Sequence, residues 1–302
     1  MRRLPLFLVL AASPAIGLVF PDAGDYTVAP GAHGGIYTGV GVTNICSASL
    51  LWSGLHILTA AHCSASTQVR FDWDGGSVTI PIVTFYSHPD FSTVGTPGDI
   101  GVGLLAFEAP VQVTRYTLYR EFDELGQTAD ILGYGSTGTG LTGATGGFGT
   151  LRRGDNLYEA TSGGGTYLIA DFDNGLDSND ALQVHAGFPP QLGIPGEVMI
   201  APGDSGGPAF LAGRIAGVHS FRGRFDAEPD GSLSDIDSVL NSSFGEVFGS
   251  TRVSVYAGWV DAVVTPEPGT LVLWSTGLLA LIWLGRRTTA SSATGRPPGH
   301  TP

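Results

Sequence analysis

Residues 203–208 read Gly-Asp-Ser-Gly-Gly-Pro, and this stretch constrains the fold more than any other. A serine between glycines can lie in a tight turn with its hydroxyl exposed, and the flanking glycines let another backbone approach closely. The N–H groups of Gly203 and Ser205 can then stabilise a developing oxyanion, at about 3 kcal/mol per donor. The stretch therefore marks Ser205 as a candidate nucleophile.

The pattern Gly-x-Ser-x-Gly is weak by itself, because it also matches the nucleophile elbow of α/β-hydrolases. In those enzymes the catalytic acid and then the histidine follow the serine. Only His219 and His300 follow Ser205 in this chain. Neither position leaves room for that topology, so the partners of Ser205 are expected upstream.

Two upstream segments supply a histidine and an aspartate. Residues 58–63 read Leu-Thr-Ala-Ala-His-Cys, and residues 99–105 read Asp-Ile-Gly-Val-Gly-Leu-Leu. A serine hydroxyl needs an adjacent base to become a good nucleophile. His62 would take its proton, and Asp99 would hold the imidazole in the right tautomer and stabilise its charged form. The chain order His62, Asp99, Ser205 predicts a catalytic triad.

The segments around these residues resemble the trypsin/chymotrypsin family of serine peptidases. The resemblance covers most of the chain between its ends and also rests on further segments: 46–50, 88–91, 131–135, 217–221, 251–253, Tyr256 and 259–260. It implies an all-β fold of two six-stranded antiparallel β-barrels, with the triad in the cleft between them and a short C-terminal helix at the end.

Composition is consistent with this fold class. The chain has 46 Gly and 19 Pro among 302 residues, and only 14% are charged, which suits short strands joined by turns. Apolar positions recur at helical spacing only from Val253 to Val264. The net charge of −13 argues against a nucleic-acid partner, because no basic patch is available to neutralise phosphates.

The resemblance implies a serine endopeptidase that hydrolyses polypeptide substrates through an acyl-enzyme intermediate, without cofactor or metal. Two other functions remain open. A catalytically silent relative that binds protein ligands would be favoured by the loss of a triad member, and none is lost. An esterase with relaxed substrate choice would use the same chemistry.

Substrate preference is predicted from the residue six positions before Ser205. The resemblance places Met199 at the base of the primary specificity pocket, where trypsin-like members have an aspartate, so we expect poor cleavage after Arg and Lys. Two hypotheses compete. An apolar substrate side chain would rest against Met199 and Phe221, or His219 with Arg222 would hold a carboxylate. The apolar pocket is favoured. Ser220 lies between His219 and Phe221 in the strand that resembles the one flanking bound substrate, and it is also expected to contribute to substrate preference.

The two cysteines, Cys46 and Cys63, are expected to form a disulfide, because the chain looks exported. Free thiols or half of a metal site are the alternatives. The bridge would close a loop behind His62 and contribute roughly 3 kcal/mol in the chain-entropy model.

The sequence does not decide whether the protein needs zymogen cleavage to become active. The resemblance implies that Asp204 pairs with a freshly exposed N-terminal amine, yet no Ile-Val-Gly-Gly-like cleavage site precedes Cys46. Either the protein needs no zymogen cleavage, or removal of a signal peptide suffices.

A segment rich in acidic residues suggests the hypothesis of a calcium site. Its oxygen-bearing side chains are Asp171, Asp173, Asn174, Asp177, Asn179 and Asp180. The EF-hand pattern does not fit, because glycine falls at the wrong position and no bidentate Glu closes the loop. A solvated turn is favoured over a metal site.

The N-terminus carries a targeting pattern. Arg2 and Arg3 precede an apolar run that ends in small residues, which predicts a signal peptide over residues 1–17. Residues 18–265 are then the peptidase domain, and the protein is expected to be exported.

The C-terminal pattern resembles the PEP-CTERM sorting signal of Gram-negative bacteria. Residues 266–287 hold Pro-Glu-Pro, an apolar stretch over 271–284 and an Arg pair. The resemblance implies processing by an exosortase-type enzyme, membrane contact through 271–284 before processing, and a periplasmic, cell-surface or extracellular location. An ordinary C-terminal anchor is the alternative, and residues 288–302 are expected to be a disordered tail.

Overall fold

The computed structural model describes residues 18–226 and 233–265, which are mainly β-strands. Along the chain the strands are β1 (Val19–Phe20), β2 (Val40–Thr43), β3 (Ser47–Leu50), β4 (His56–Thr59), β5 (Gln68–Trp73), β6 (Gly76–Ser87), β7 (Gly101–Leu105), β8 (Thr128–Gly133), β9 (Thr137–Thr139), β10 (Gly143–Gly146), β11 (Arg152–Leu157), β12 (Ala160–Ser162), β13 (Tyr167–Asp171), β14 (Pro208–Leu211), β15 (Arg214–Gly223) and β16 (Val247–Arg252). The α-helices are α1 (Ala181–Ala186) and α2 (Val253–Val264), and Ala32–Gly35 and Ala61–Cys63 form short 3-10 helices.

Four predicted segments lie outside the described residues: the signal peptide over 1–17, the sorting signal over 266–287, its apolar stretch over 271–284, and the tail over 288–302. Within residues 18–226 and 233–265, no helix is both long enough and apolar enough to cross a membrane.

The first half of the chain forms a closed antiparallel barrel in the order β2-β3-β4-β7-β6-β5. Strand β5 shows how the strands of this barrel enclose a core. Val69 and Phe71 are fully buried and the intervening Arg70 is exposed, as the two-residue period of a strand requires. Their side chains pack with Leu50, Ile57 and other apolar residues to form the barrel core.

The second half forms a seven-stranded antiparallel sheet in the order β11-β8-β14-β15-β16-β13-β12, and β1, β9 and β10 form a separate three-stranded sheet. The all-β, chymotrypsin-like prediction is confirmed. The six-strand count holds for the first barrel, whereas the second half distributes its strands over these two sheets.

The N-terminal strand β1 is built into the interior of the second half. Leu18, Val19 and Phe20 are at most 2% exposed. Val19 N–H donates to the Met199 carbonyl at 2.8 Å, and Met199 N–H donates back to the Val19 carbonyl at 3.0 Å. The Phe20 ring stacks on Tyr26 with 3.9 Å between centroids. This short segment therefore packs as part of the core.

Helix α2 covers the residues that helical spacing predicts, Val253 to Val264. Helix α1 has only six residues and too little periodicity to predict. Asp180 caps it by accepting a hydrogen bond from Gln183 N–H, and Gly187 ends it in the left-handed conformation at φ 66°.

Candidate active site

The pairing of strands β4 and β7 brings His62 and Asp99 together. Thr59 lies opposite Gly101 in that pair, so the turn after β4 and the segment before β7 meet at one end of the barrel. The His62 Nδ1 atom lies 2.7 Å from Asp99 Oδ2, and the His62 backbone N–H donates to Asp99 Oδ1 at 3.0 Å. A carboxylate at Nδ1 holds the proton on that nitrogen, which leaves Nε2 as the basic atom.

Asp99 is fully buried, and further hydrogen bonds hold it in place. The Ser220 hydroxyl donates to Asp99 Oδ2 at 2.5 Å, and the Thr251 hydroxyl donates to the Asp99 carbonyl at 2.7 Å. The neighbouring Gly98 N–H donates to the Tyr256 hydroxyl at 2.9 Å. The Ser220 bond helps to offset the desolvation of the buried carboxylate, whereas the bonds made by Thr251 and Gly98 hold the backbone of this segment. Sequence reasoning missed these roles, because it assigned Ser220 to substrate preference and Thr251 and Tyr256 only to the C-terminal segment.

The turn that holds Ser205 packs against the first barrel, at Ser47 of β3 and at Thr59, the last residue of β4. Ser47 N–H donates to the Ser205 carbonyl at 2.8 Å, and the Ser47 hydroxyl donates to the Gly203 carbonyl at 2.9 Å. Gly206 has φ +80°, and a Cβ there would lie 1.9 Å from Thr59 Oγ1. Only glycine permits this approach.

The Ser205 residue is half-buried, and the His62 side chain is 21% exposed, so both are open to solvent. Across the described residues, no hydrogen bond joins the Ser205 hydroxyl to the His62 imidazole. Catalytic hydrogen bonds are often long in ligand-free enzymes and shorten when substrate binds.

The backbone around Ser205 leaves two N–H groups without a protein acceptor in the described part of the chain. Those groups belong to Gly203 and Ser205, the predicted oxyanion donors. The intervening Asp204 N–H instead donates to the Ala201 carbonyl at 3.1 Å, and Gly206 N–H donates to the His219 carbonyl at 2.8 Å. The turn therefore offers two donors on either side of Asp204 to an anionic oxygen.

Asp204 is fully buried between two backbone donors. Gly135 N–H donates to Oδ1 at 3.1 Å, and Ala201 N–H donates to Oδ2 at 2.9 Å. Burial raises the pKa of Asp204 to about 8, although these hydrogen bonds oppose the shift. Among residues 18–226 and 233–265, no basic side chain forms an ion pair with it.

The residues predicted to set substrate preference lie deeper than the sequence indicates. Met199 is fully buried in an apolar cluster with Val19 and Phe20. His219 is also fully buried, and its Nδ1 atom lies 3.1 Å from Ser250 Oγ. Burial lowers the pKa of His219 to about 3, so its imidazole is neutral at pH 7.

Phe221 and Arg222 continue the same strand after a bulge that contains Ser220. Phe221 is 5% exposed and meets the edge of the Tyr167 ring with 5.0 Å between centroids. Arg222 does not simply extend into solvent, because its Nη1 donates to Ser242 Oγ at 2.9 Å.

The predicted disulfide between Cys46 and Cys63 is confirmed, with 6.2 Å between their Cα atoms and a sequence separation of 17. It excludes free thiols and a cysteine half-site for a metal. The bridge links the start of β3 to the turn that carries His62, so it supports the position of His62 directly.

The prediction of a solvated turn over residues 171–180 is wrong at both ends of that segment. Residues 175–178 are exposed, but Asp171, Asp173, Asn179 and Asp180 are buried. The acidic side chains point inward because β13 continues into the core and Asp180 caps α1.

Comparisons with known proteins agree with this architecture. Residues 24–156 match the trypsin family model. Neuropsin, a serine protease expressed in the limbic system of mouse brain, is 18% identical, with a TM-score of 0.54 over 76% of this chain and 95% of that chain. No curated protein matches. The chain therefore has a chymotrypsin-like fold and carries a match to the trypsin family over residues 24–156.

Proposed function

We propose that this protein is a serine endopeptidase. The observation that carries the proposal is the 2.7 Å contact between His62 Nδ1 and the buried Asp99 carboxylate, beside a glycine-bounded turn that holds Ser205. In the proposed reaction His62 Nε2 removes the hydroxyl proton as Ser205 Oγ attacks the scissile carbonyl. The N–H groups of Gly203 and Ser205 stabilise the oxyanion that forms.

The second half of the reaction uses the same groups. The protonated His62 gives its proton to the leaving amine, which leaves an acyl-enzyme on Ser205. Water then attacks the acyl carbon, with His62 again as the base, and the carboxylic acid product departs. Asp99 orients the imidazole throughout and stabilises the imidazolium.

Labelling with a serine-directed fluorophosphonate tests the mechanism. We expect a single adduct on Ser205 of the purified protein, and hydrolysis of peptides that falls by several orders of magnitude in Ser205→Ala and in His62→Ala. Folded wild-type protein that neither reacts nor cleaves would favour the protein-binding alternative. Turnover of esters without turnover of any peptide would favour the esterase.

For substrate preference we propose an apolar side chain before the scissile bond. The neutral, buried His219 supports this over the carboxylate hypothesis, which relies on a charged or donating imidazole. Peptides that differ only at that residue decide the question. Best turnover with Glu, lost in His219→Ala, would select the carboxylate hypothesis, and best turnover with Arg or Lys would contradict both.

We also propose export, with residues 1–17 removed as a signal peptide and residues 266–287 read by an exosortase-type enzyme of a Gram-negative bacterium. The Cys46–Cys63 disulfide fits an extracytoplasmic location. Fractionation of cells that express the full chain, with and without residues 266–287, tests the sorting step.

Signal removal can itself supply the amine that Asp204 lacks. Val19 and Met199 are antiparallel partners, so Leu18 faces Ile200, and the next residue, Ala201, donates to Asp204 Oδ2. Cleavage after residue 17 would therefore create an α-amine at Leu18 close to the buried carboxylate. We propose that this ion pair orders the turn that holds Ser205.

A further inference from the structure

Three carboxylates outside the proposed active site converge on one point. Glu159 lies just before β12, and Asp171 is the last residue of β13. The two strands are antiparallel neighbours, and Glu159 N–H donates to the Ile169 carbonyl at 3.0 Å. Asp173 follows two residues after Asp171. One carboxylate oxygen from each of Glu159, Asp171 and Asp173 lies within 4.8 Å of the others.

These oxygens lack donors. Asp171 and Asp173 are 1% and 5% exposed. Asp171 Oδ1, Asp173 Oδ1 and Glu159 Oε2 are buried, and none has a hydrogen-bond partner within the described residues. None of the three residues forms an ion pair there either. An unpaired buried charge is costly, so the arrangement calls for a counter-charge or for protons.

Two adjacent carboxylates provide a contrast, because backbone N–H groups occupy both of their oxygens. Asp180 accepts from Gln183 and Gln191 at 2.7 and 2.9 Å. Glu197 accepts from Asp173 and Ile194, both at 2.7 Å. The protein thus satisfies both oxygens of each outer acid, whereas each of the three inner acids keeps one buried oxygen without a partner, and the second Asp171 oxygen accepts from Leu182 N–H at 2.8 Å.

The ligand type favours calcium over magnesium. Calcium accepts irregular sets of six to eight oxygen ligands, with carboxylates binding through one or both oxygens. Magnesium requires near-ideal octahedral geometry and usually keeps several waters, so it is rarely held by a cage of protein carboxylates. Glu159 is only half-buried, so one side of the site is open to the waters that usually complete calcium coordination.

We propose that Glu159, Asp171 and Asp173 bind a calcium ion. The site uses none of the three residues of the proposed triad.

The ion would stabilise the segment that leads to Ser205. Asp173 N–H donates to Glu197 Oε1, and Glu197 lies two residues before Met199, which pairs with Val19 of β1. Calcium at Asp173 would therefore hold this segment against β13. We expect calcium to raise the stability of the fold, and we expect any gain in activity to be a consequence of that greater stability.

Thermal unfolding and isothermal titration of the EDTA-treated full chain test the proposal. We expect calcium to bind saturably and raise Tm, with magnesium much less effective. Asp173→Asn and Glu159→Gln should each weaken calcium affinity at least tenfold. Without calcium, Asp173→Asn should unfold no earlier than wild type, because it removes an unpaired buried acid.

Asp177→Asn is the matched control, since Asp177 lies in the same segment but is exposed, and it should keep the full calcium response. The proposal is overturned if wild type shows no heat and no Tm change at millimolar calcium, which would mean that the three acids share protons only. An Asp177→Asn variant that loses as much affinity as Glu159→Gln would also overturn it, because screening by any acidic residue would then explain the effect.

Discussion

Ser220 donates its hydroxyl to Asp99 Oδ2 at 2.5 Å, the same oxygen that contacts His62. The hydroxyl and the imidazole therefore fix this carboxylate from two directions. A hydrogen bond to a charged group contributes about 1.5–3 kcal/mol. We predict that Ser220→Ala lowers kcat roughly ten- to hundredfold with little change in KM, because Asp99 loses orientation rather than substrate contact.

Peptide turnover and urea unfolding, measured together, separate this from general destabilisation. Without the Ser220 hydroxyl, Asp99 Oδ2 keeps only its contact with His62, so kcat should fall by more than the loss of stability explains. Ser66→Ala is the control, since it removes another buried hydroxyl, which donates to Thr43 Oγ1 at 2.9 Å, away from Asp99. A similar loss of kcat in both variants would contradict the positioning role.

Gly206→Ala should abolish activity. Its Cβ would lie 1.9 Å from Thr59 Oγ1 at φ +80°, so the turn that holds Ser205 must move away from the barrel. Gly213→Ala has a similar φ of +73° but an open environment, and should cost only about 1 kcal/mol of backbone strain. Peptide turnover and urea unfolding of both variants check this. Equal losses of turnover would show that backbone strain at positive φ, and not the contact between the new Cβ and Thr59, causes the loss of activity.

Replacing Cys46 and Cys63 by serine should lower the free energy of unfolding by roughly 3 kcal/mol in the chain-entropy model. Activity should fall as well, because the bridge holds the turn that carries His62. Urea denaturation with and without reductant measures the first effect. Reductant should destabilise wild type and leave the double variant unchanged; a response of the double variant would rule the disulfide out as the cause.

The buried Asp204 predicts that the free energy of unfolding depends differently on pH in two forms of the chain. One form starts at Leu18, and the other retains the residues before it. The folded Asp204 pKa of about 8 lies above the ordinary value near 3.8, so the folded state binds the proton more tightly than the unfolded state. Its contribution to stability is therefore lost as pH rises from about 4 through about 8. An amine at Leu18 would pair with the charged carboxylate and counter that loss.

Urea unfolding at pH 5 and pH 8 compares protein that starts at Leu18 with protein that retains residues before it. We expect the Leu18 form to lose less stability at pH 8, and Asp204→Asn to remove the difference between the two forms. Equal pH dependence of the two forms would exclude an ion pair between Leu18 and Asp204.

Local patterns were enough to predict several features. Helical spacing located α2 at Val253–Val264, and the export pattern led to the Cys46–Cys63 bridge. Family-like segments around His62, Asp99 and Ser205 indicated the fold. These predictions succeed because each depends on neighbouring residues, whose propensity and spacing can be seen directly in the chain.

The sequence by itself determined which side chains are available for chemistry and the order in which they occur. Only the tertiary structure decided that Ser220, 121 residues away, reaches Asp99, that Met199 pairs with Val19, and that Glu159 meets Asp171. Such contacts depend on the register between strands, and a shift of one residue would send every side chain to the opposite face of the sheet. That register is set by the packing of whole sheets, which no single segment of the sequence contains.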